Sequence, residues 1–246
     1  MIIIPDVHGR TFWKEYVKGH EEEDIIFLGD YLDPYGYEGI LRKDAIENFK
    51  EILEFKKAHM ANVTLLLGNH DFGGYVNDEM PKCRYDYDNA PIIINLFKEN
   101  IKLFSLIAFR IINGKKVSFS HSYIGSRWLN YPEELKDKSV DEVADILNNA
   151  VKHDNQELLT NCLYIVGRAR GGWGLFGSVV WADVCEADYI ANSPEGIDYQ
   201  IFGHSQQEYL PIITDEYACL DVRQGFTLTD RGELINENLN IKKQIV

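Results

Sequence analysis

The chain has 246 residues, 45% of them hydrophobic, which suits one α/β domain with a large core and falls short of two independent domains. Asp and Glu outnumber Lys and Arg by 39 to 25, and this acidity repels a polyanionic backbone, so extended nucleic acid is a poor candidate partner. The four cysteines (Cys83, Cys162, Cys185 and Cys219) show no C-x-x-C pairing, which speaks against a zinc knuckle or disulfide framework and fits free thiols in a reducing cytosol.

In chain order, Met1 to Ile4, Ile25 to Leu28 and Val63 to Leu67 are apolar runs that read as buried strands. Between them, Phe12 to Lys18 reads as a short helix. Ile46, Phe49, Ile52 and Leu53 form an apolar stripe at helical spacing between Lys43 and His59. This alternation predicts parallel strands joined by right-handed crossovers. Glu21 to Asp24 reads as a solvated turn, and Phe72 to Tyr87, rich in Gly, Asp and Tyr, as a rim loop. Leu106 to Ile112, Asn113-Gly114 and Lys116 to Ser120 form a hairpin pattern, since Asn-Gly supplies the positive φ angles of a type I′ turn. Helical periodicity follows around Val140 to Ala150 and Leu158 to Val166. The glycine-rich run Gly167 to Gly177 comes next; it lacks the ending of a phosphate-binding P-loop and reads as a mobile loop over the site. Pro211 to Thr214, Tyr217 to Asp221 and Phe226 to Thr229 read as a second antiparallel meander. Residues 1–246 are thus expected to be one domain with a helical and glycine-rich insertion at about 123–180. No stretch approaches a membrane span, and Asp6 would be lost with any cleaved leader, so a cytoplasmic protein with no membrane partner is expected.

Polar residues cluster where the apolar runs end. Asp6-Val7-His8-Gly9, Gly29-Asp30-Tyr31-Leu32-Asp33, Gly68-Asn69-His70-Asp71, Ser120-His121-Ser122 and Gly203-His204-Ser205 each follow such a run and carry oxygen or nitrogen donors for a hard divalent metal. In α/β sheets, ligands gather beyond the carboxyl ends of strands, where distant segments point side chains into one crevice. A two-metal site is the natural product.

These blocks, in this order, resemble the calcineurin-like metallophosphoesterase superfamily, whose signature runs D-x-H, G-D-x-x-D, G-N-H-D/E, an isolated His and G-H. Asp33 after Asp30, together with Trp181-Ala182-Asp183, is similar to the phosphoprotein phosphatase branch and its diadenosine tetraphosphatase relatives. The resemblance implies an α/β fold of two facing mixed β-sheets flanked by helices, a four-layer sandwich. It implies Asp30 as the ligand shared by two metals, with Asp6 and His8 completing the first and Asn69, His121 and His204 the second. Mixed oxygen and nitrogen donors suit Mn²⁺ first, with Fe²⁺ or Zn²⁺ as alternatives, and disfavour Ca²⁺. In the family's pattern His70 faces the substrate as a general acid or charge stabiliser, and Asp33 holds its far nitrogen and raises the population of imidazolium.

Two departures from the pattern stand out. The protein phosphatases carry a phosphate-gripping Arg directly after the position of Asp33, where this chain has Pro34. Arg10, Arg127, Arg168 and Arg170 are the candidate substitutes, with Arg168 or Arg170 on the glycine-rich loop preferred. Gln206 stands where other branches place a second metal-binding His, and it reads as a weak ligand or a loop residue. Asp71 either caps and orients or takes part in catalysis. His20, His59 and His153 are expected at the surface, Tyr31, Tyr35 and Tyr37 in packing, and Trp173 and Trp181 as core or loop anchors.

The function implied is hydrolysis of phosphomonoesters or phosphoanhydrides by metal-bound hydroxide. Phosphoserine or phosphothreonine proteins are the leading substrate class, followed by dinucleoside polyphosphates and other small phosphates. The alternatives are a non-catalytic interaction module that retains the fold, and a nuclease or phosphodiesterase, which the acidic balance weakens.

Overall fold

The computed structural model describes residues 1–189 and 193–246 of the chain. In chain order its strands are β1 (Ile2–Ile4), β2 (Ile25–Phe27), β3 (Val63–Leu66), β4 (Phe104–Ser105), β5 (Ile107–Ile112) and β6 (Lys115–Ser120). The second half adds β7 (Tyr199–Phe202), β8 (Ile212–Ile213), β9 (Tyr217–Cys219), β10 (Phe226–Leu228), β11 (Glu233–Asn236) and β12 (Ile241–Gln244). They form a seven-stranded sheet ordered β12-β11-β10-β1-β2-β3-β4 and a five-stranded sheet ordered β5-β6-β7-β9-β8. Both sheets are mixed. β1 to β4 run parallel and β10 to β12 antiparallel in the first, and β6, β7 and β9 run parallel between antiparallel edges in the second.

The period-2 pleat sorts side chains to the two faces of each sheet. Ile3, Ile26, Leu28 and Leu66 of the first sheet share a buried cluster with Val117, Phe119, Tyr199 and Ile201 of the second, so the sheets pack face to face. Ile2, Ile4, Ile25 and Phe27, one residue out of phase, meet the helices instead. The helix Arg42–Ala58 buries Ala45, Ile46, Phe49, Ile52 and Leu53 at helical spacing. The Phe49 ring lies 5.2 Å from that of Tyr31 and 4.8 Å from that of Phe97, and each such buried apolar side chain is worth about 1.5–3 kcal/mol. The helices Val140–Lys152 and Gln156–Leu163 of the expected insertion contribute Val143, Leu147 and Leu159 to the same cluster. Among the described residues, no helix is long and apolar enough to cross a membrane.

The two helices read in the first sixty residues are present as Trp13–Val17 and Arg42–Ala58, and the hairpin turns at Asn113 and Gly114, with φ of 50° and 76°. The second meander is a correction. β8 and β9 pair in the five-stranded sheet, whereas β10 crosses to the other sheet and pairs with β1 and β11, because Phe226 and Leu228 complete the layer between the sheets. The β11–β12 hairpin and the helix Ala90–Asn100 went unread, and Trp173 is 97% exposed rather than an anchor. His59 is half-buried, its ring 4.7 Å from that of Phe55.

Asp71 ties two strand ends together. Its buried carboxylate accepts the backbone N–H of Asp30 (2.7 Å), Tyr31 (3.0 Å) and Gly68 (2.8 Å), joining the turn after β2 to the turn after β3. The orienting role is therefore the one the geometry supports. Asp71→Asn would set an amide NH₂ against N–H donors. It should destabilise the chain by roughly 2–3 kcal/mol, the cost of stranding buried donors that had a charged partner. Urea unfolding at constant m-value reads this loss.

Candidate metal centre

Five strand ends from both sheets converge on one buried cluster. Asp6 follows β1 and Asp30 follows β2, Asn69 follows β3, His121 directly follows β6, and His204 follows β7. All five are at most 7% exposed, as are His8 and His70. Close backbone approach makes this possible. A Cβ on Gly68 would collide with Asp30 Oδ1, and one on Gly203 with Asp6 Oδ1, so these glycines leave room for the carboxylates. His8, Asp30, Asp33 and His204 adopt left-handed backbone conformations with φ of 44°, 53°, 57° and 62°, at a cost of about 1–2 kcal/mol each. Strain of this kind collects at functional sites, where the surrounding structure holds it in place.

Asp30 is central. Its Oδ2 lies 3.5 Å from His8 Nε2 and 3.4 Å from His121 Nε2, and its Oδ1 accepts the His70 N–H at 2.9 Å. Donor atoms of His8, Asp30 and His70 lie within 4.8 Å of one another, and so do those of Asp30, His121 and His204. Asp30 belongs to both groups. The expected ligand Asp6 stands beside them: its carboxylate accepts the His204 N–H at 3.0 and 3.1 Å. Asn69 Oδ1 lies 3.0 Å from His121 Nε2, itself 3.2 Å from His204 Nδ1.

The donor chemistry fits divalent cations. His8 Nδ1 donates to the Leu32 carbonyl at 2.8 Å, and His121 Nδ1 to the Leu28 carbonyl at 2.9 Å. A carbonyl only accepts, so the neutral rings turn their Nε2 lone pairs inward. Those lone pairs face the oxygens of Asp30 and Asn69, acceptor against acceptor, an arrangement that a cation resolves. The same burial pushes Asp6 and Asp30 above the usual carboxylate range and holds His8, His121 and His204 below the usual imidazole range. Histidines kept unprotonated are the form that binds metal.

His70 sits at the edge of this cluster. Its Nδ1 lies 2.9 Å from Asp33 Oδ2, while Asp33 Oδ1 accepts the Tyr75 hydroxyl at 2.7 Å and Tyr75 in turn accepts the Asp86 N–H at 2.8 Å. The pairing of His70 with Asp33 was expected, but the excess of imidazolium was not found. Burial, reinforced by Arg84 and His121, pushes His70 down to about 4 against the pull of Asp30. Burial likewise raises Asp33 to about 7, the Tyr75 hydroxyl opposing it. Removal from water is the largest cause for both groups, so the ionic form is disfavoured.

The candidate arginines differ in their engagement. Arg10 is held by Glu38 through two hydrogen bonds of 2.8 and 2.9 Å. Arg168 and Arg127 are exposed. Arg170 reaches the cluster: it pairs with Asp183 at 2.7 Å and donates to the His204 carbonyl and Ser205 Oγ at 3.0 and 2.9 Å. Gln206, with its amide oxygen turned toward Arg223, accepts from that guanidinium at 2.6 and 2.9 Å, a loop role and not that of a ligand. Trp181 is buried, its ring 5.9 Å from that of His204. Three residues of the site escaped the sequence reading. Tyr75 and Arg84 lie in the Phe72 to Tyr87 segment, where only the glycines hinted at special backbone. Asp221, buried and pushed upward by burial and by Asp6, follows β9, and the strand-end rule applied there would have found it.

Comparisons with known proteins agree with this architecture. The chain is 25% identical over 240 residues to the serine/threonine-protein phosphatase 6 catalytic subunit of Drosophila melanogaster, covering 94% of this chain and 66% of that protein. Among solved structures it resembles a protein serine/threonine phosphatase from Saccharomyces cerevisiae described as similar to human phosphatase PP5. That match has a TM-score of 0.51 and 14% identity, and it covers 89% of this chain and 65% of the other. The chain thus spans a little under two thirds of the length of each. A family profile described as calcineurin-like phosphoesterase matches residues 2–208, and with those residues carrying all five strand-end motifs, the chain belongs to the calcineurin-like phosphoesterase family.

Proposed function

We propose that the chain is a two-metal phosphoesterase that hydrolyses phosphomonoesters or phosphoanhydrides in the cytoplasm. A phosphoserine or phosphothreonine protein is its leading substrate class and a dinucleoside polyphosphate the second. The observation that carries the reading is the shared carboxylate of Asp30 between two groups of buried donors. In the proposal Asp6, His8 and Asp30 hold the first metal and Asp30, Asn69, His121 and His204 the second, with Mn²⁺ the leading candidate and Fe²⁺ or Zn²⁺ next. Two divalent cations in such a site neutralise phosphoryl oxygens and activate a water nucleophile.

The protein's own groups do the rest. Asp71 fixes the turn that carries Asp30, and the Asp6 carboxylate fixes the His204 backbone, so the donors are positioned before substrate arrives. Asp33 orients His70 through Nδ1, and a ring nitrogen of His70 lies within 4.8 Å of donor atoms of His8 and Asp30. When the pair holds two protons, whether as carboxylic acid with neutral imidazole or as carboxylate with imidazolium, an N–H stands at Nε2 to meet the departing oxygen. Tyr75 locks the other oxygen of Asp33, so it is a positioning residue for this dyad. Arg170, anchored by Asp183 beside His204, is the proposed substrate contact on that side; Arg168 is a weaker candidate, and Arg10 is already committed to Glu38.

Asp30→Asn should lower the content of both metals together and abolish hydrolysis of an aryl phosphate. Normal metal content with full activity in that variant would sink the shared-ligand assignment. His70→Asn should keep the metal content near wild type and slow turnover by roughly 10²- to 10⁴-fold, the usual worth of a general acid. Loss of metal on that change would make His70 a ligand, which its distance to His8 and Asp30 allows. Tyr75→Phe should keep the metals and slow turnover by only about tenfold, the value of one hydrogen bond. Steady-state kinetics with elemental analysis of the same samples decides among these outcomes.

A further inference from the structure

Arg84 is a cation at the centre with no anion of its own. Its Nη2 lies 3.2 Å from His8 Nε2 and 3.3 Å from His8 Nδ1, its Nε donates to the Asp33 carbonyl at 3.1 Å, and its guanidinium carbon stacks 3.8 Å over the Tyr35 ring. Among the described residues it forms no ion pair, although the chain carries 39 acidic side chains. Arg10, Arg110 and Arg170 each have a carboxylate within 2.8 Å. Its Nη1 makes no hydrogen bond among the described residues. The backbone at Arg84 is left-handed, with φ of 49°, an unusual conformation for a long side chain.

We infer that Arg84 grips the phosphoryl oxygens of the substrate on the His8 side of the centre, the place that Pro34 leaves without an arginine. The inference rests on the proposed function. A half-buried guanidinium without a carboxylate has unused hydrogen-bonding capacity, and its planar fork matches two oxygens of a tetrahedral phosphate dianion. Tyr35 and the Asp33 carbonyl fix the plane and the Nε edge, so little side-chain entropy remains to be lost when an oxyanion arrives. Arg170 differs, since Asp183 already neutralises it. The two arginines meet different histidines of the centre: Arg84 lies beside His8 and Arg170 beside His204.

The test is calorimetric titration of orthophosphate into the full chain loaded with Mn²⁺, together with elemental analysis and the KM for an aryl phosphate. Arg84→Ala and Arg84→Lys are compared with wild type and with Arg231→Ala, an exposed arginine on the β10–β11 turn. Arg84→Ala should weaken phosphate binding at least about tenfold, the size of a lost charge-assisted hydrogen bond. KM should rise with it, with metal content at the wild-type level. Arg84→Lys should fall between the two, because it keeps the charge and loses the fork. Phosphate affinity within about twofold of wild type in Arg84→Ala overturns the inference. So does loss of metal from both Arg84 variants, which would make Arg84 a support for His8. If loaded wild-type chain binds phosphate through Arg84 but hydrolyses no phosphate ester, Arg84 is an oxyanion contact but not a substrate contact, and the proposed function falls. If it hydrolyses esters with Arg84 replaced at no cost, the inference falls and the proposed function stands.

Discussion

Everything at the centre depends on one buried carboxylate held in a strained turn. Asp30 is 2% exposed and left-handed in its backbone. Its own N–H is given to Asp71, its carbonyl accepts the N–H groups of Val7 and His8, and its Oδ1 accepts the N–H of His70. Three strand ends are therefore stitched through one residue, and the remaining oxygen is left between His8 and His121. A turn this constrained gives the side chain little freedom to relax away from its neighbours, so its charge is met by what is brought to it.

The electrostatics of the cluster follow from that constraint. Burial disfavours every charge in it, raising the aspartates and lowering the histidines, and the backbone carbonyls of Leu28 and Leu32 select the tautomer with an inward lone pair. Such a collection of convergent acceptors is poor as a structural core, where buried polar groups are normally paired donor to acceptor. It is favourable as a cation site, and the strained φ angles at His8, Asp30, Asp33 and His204 are sustained by the same contacts. Activity and stability are opposed here. The groups that would bind the metals are among those that cost the metal-free fold most.

Around this centre the chain places two arginines whose surroundings differ. Asp183 and Ser205 compensate and fix Arg170 on the β7 side, whereas an aromatic ring and a carbonyl, neither of them anionic, orient Arg84 on the β1 side. In a protein with a formal charge of −14, an arginine near a cluster of aspartates that pairs with none of them concentrates positive potential at one point.

By itself the sequence determined the candidate donors and their order. Asp6, His8, Asp30, Asn69, His121 and His204 were legible because each lies within four residues of the end of an apolar run, where the chain leaves the sheet. The parallel first half and the Asn113-Gly114 hairpin were legible for the same local reason. Only the tertiary structure decided that β10 crosses between sheets, since Phe226 and Leu228 pack as well in a meander as in the layer where they lie, and pattern does not choose between partners. The proton balance of His70 and Asp33 was likewise out of reach, because a motif pattern implies a pairing while burial, a property of the whole fold, disfavours both charges. Arg84 was invisible for the plainest reason. It stands 51 residues from the carbonyl it bonds and 76 from the histidine it faces, in a segment whose composition marks only a loop.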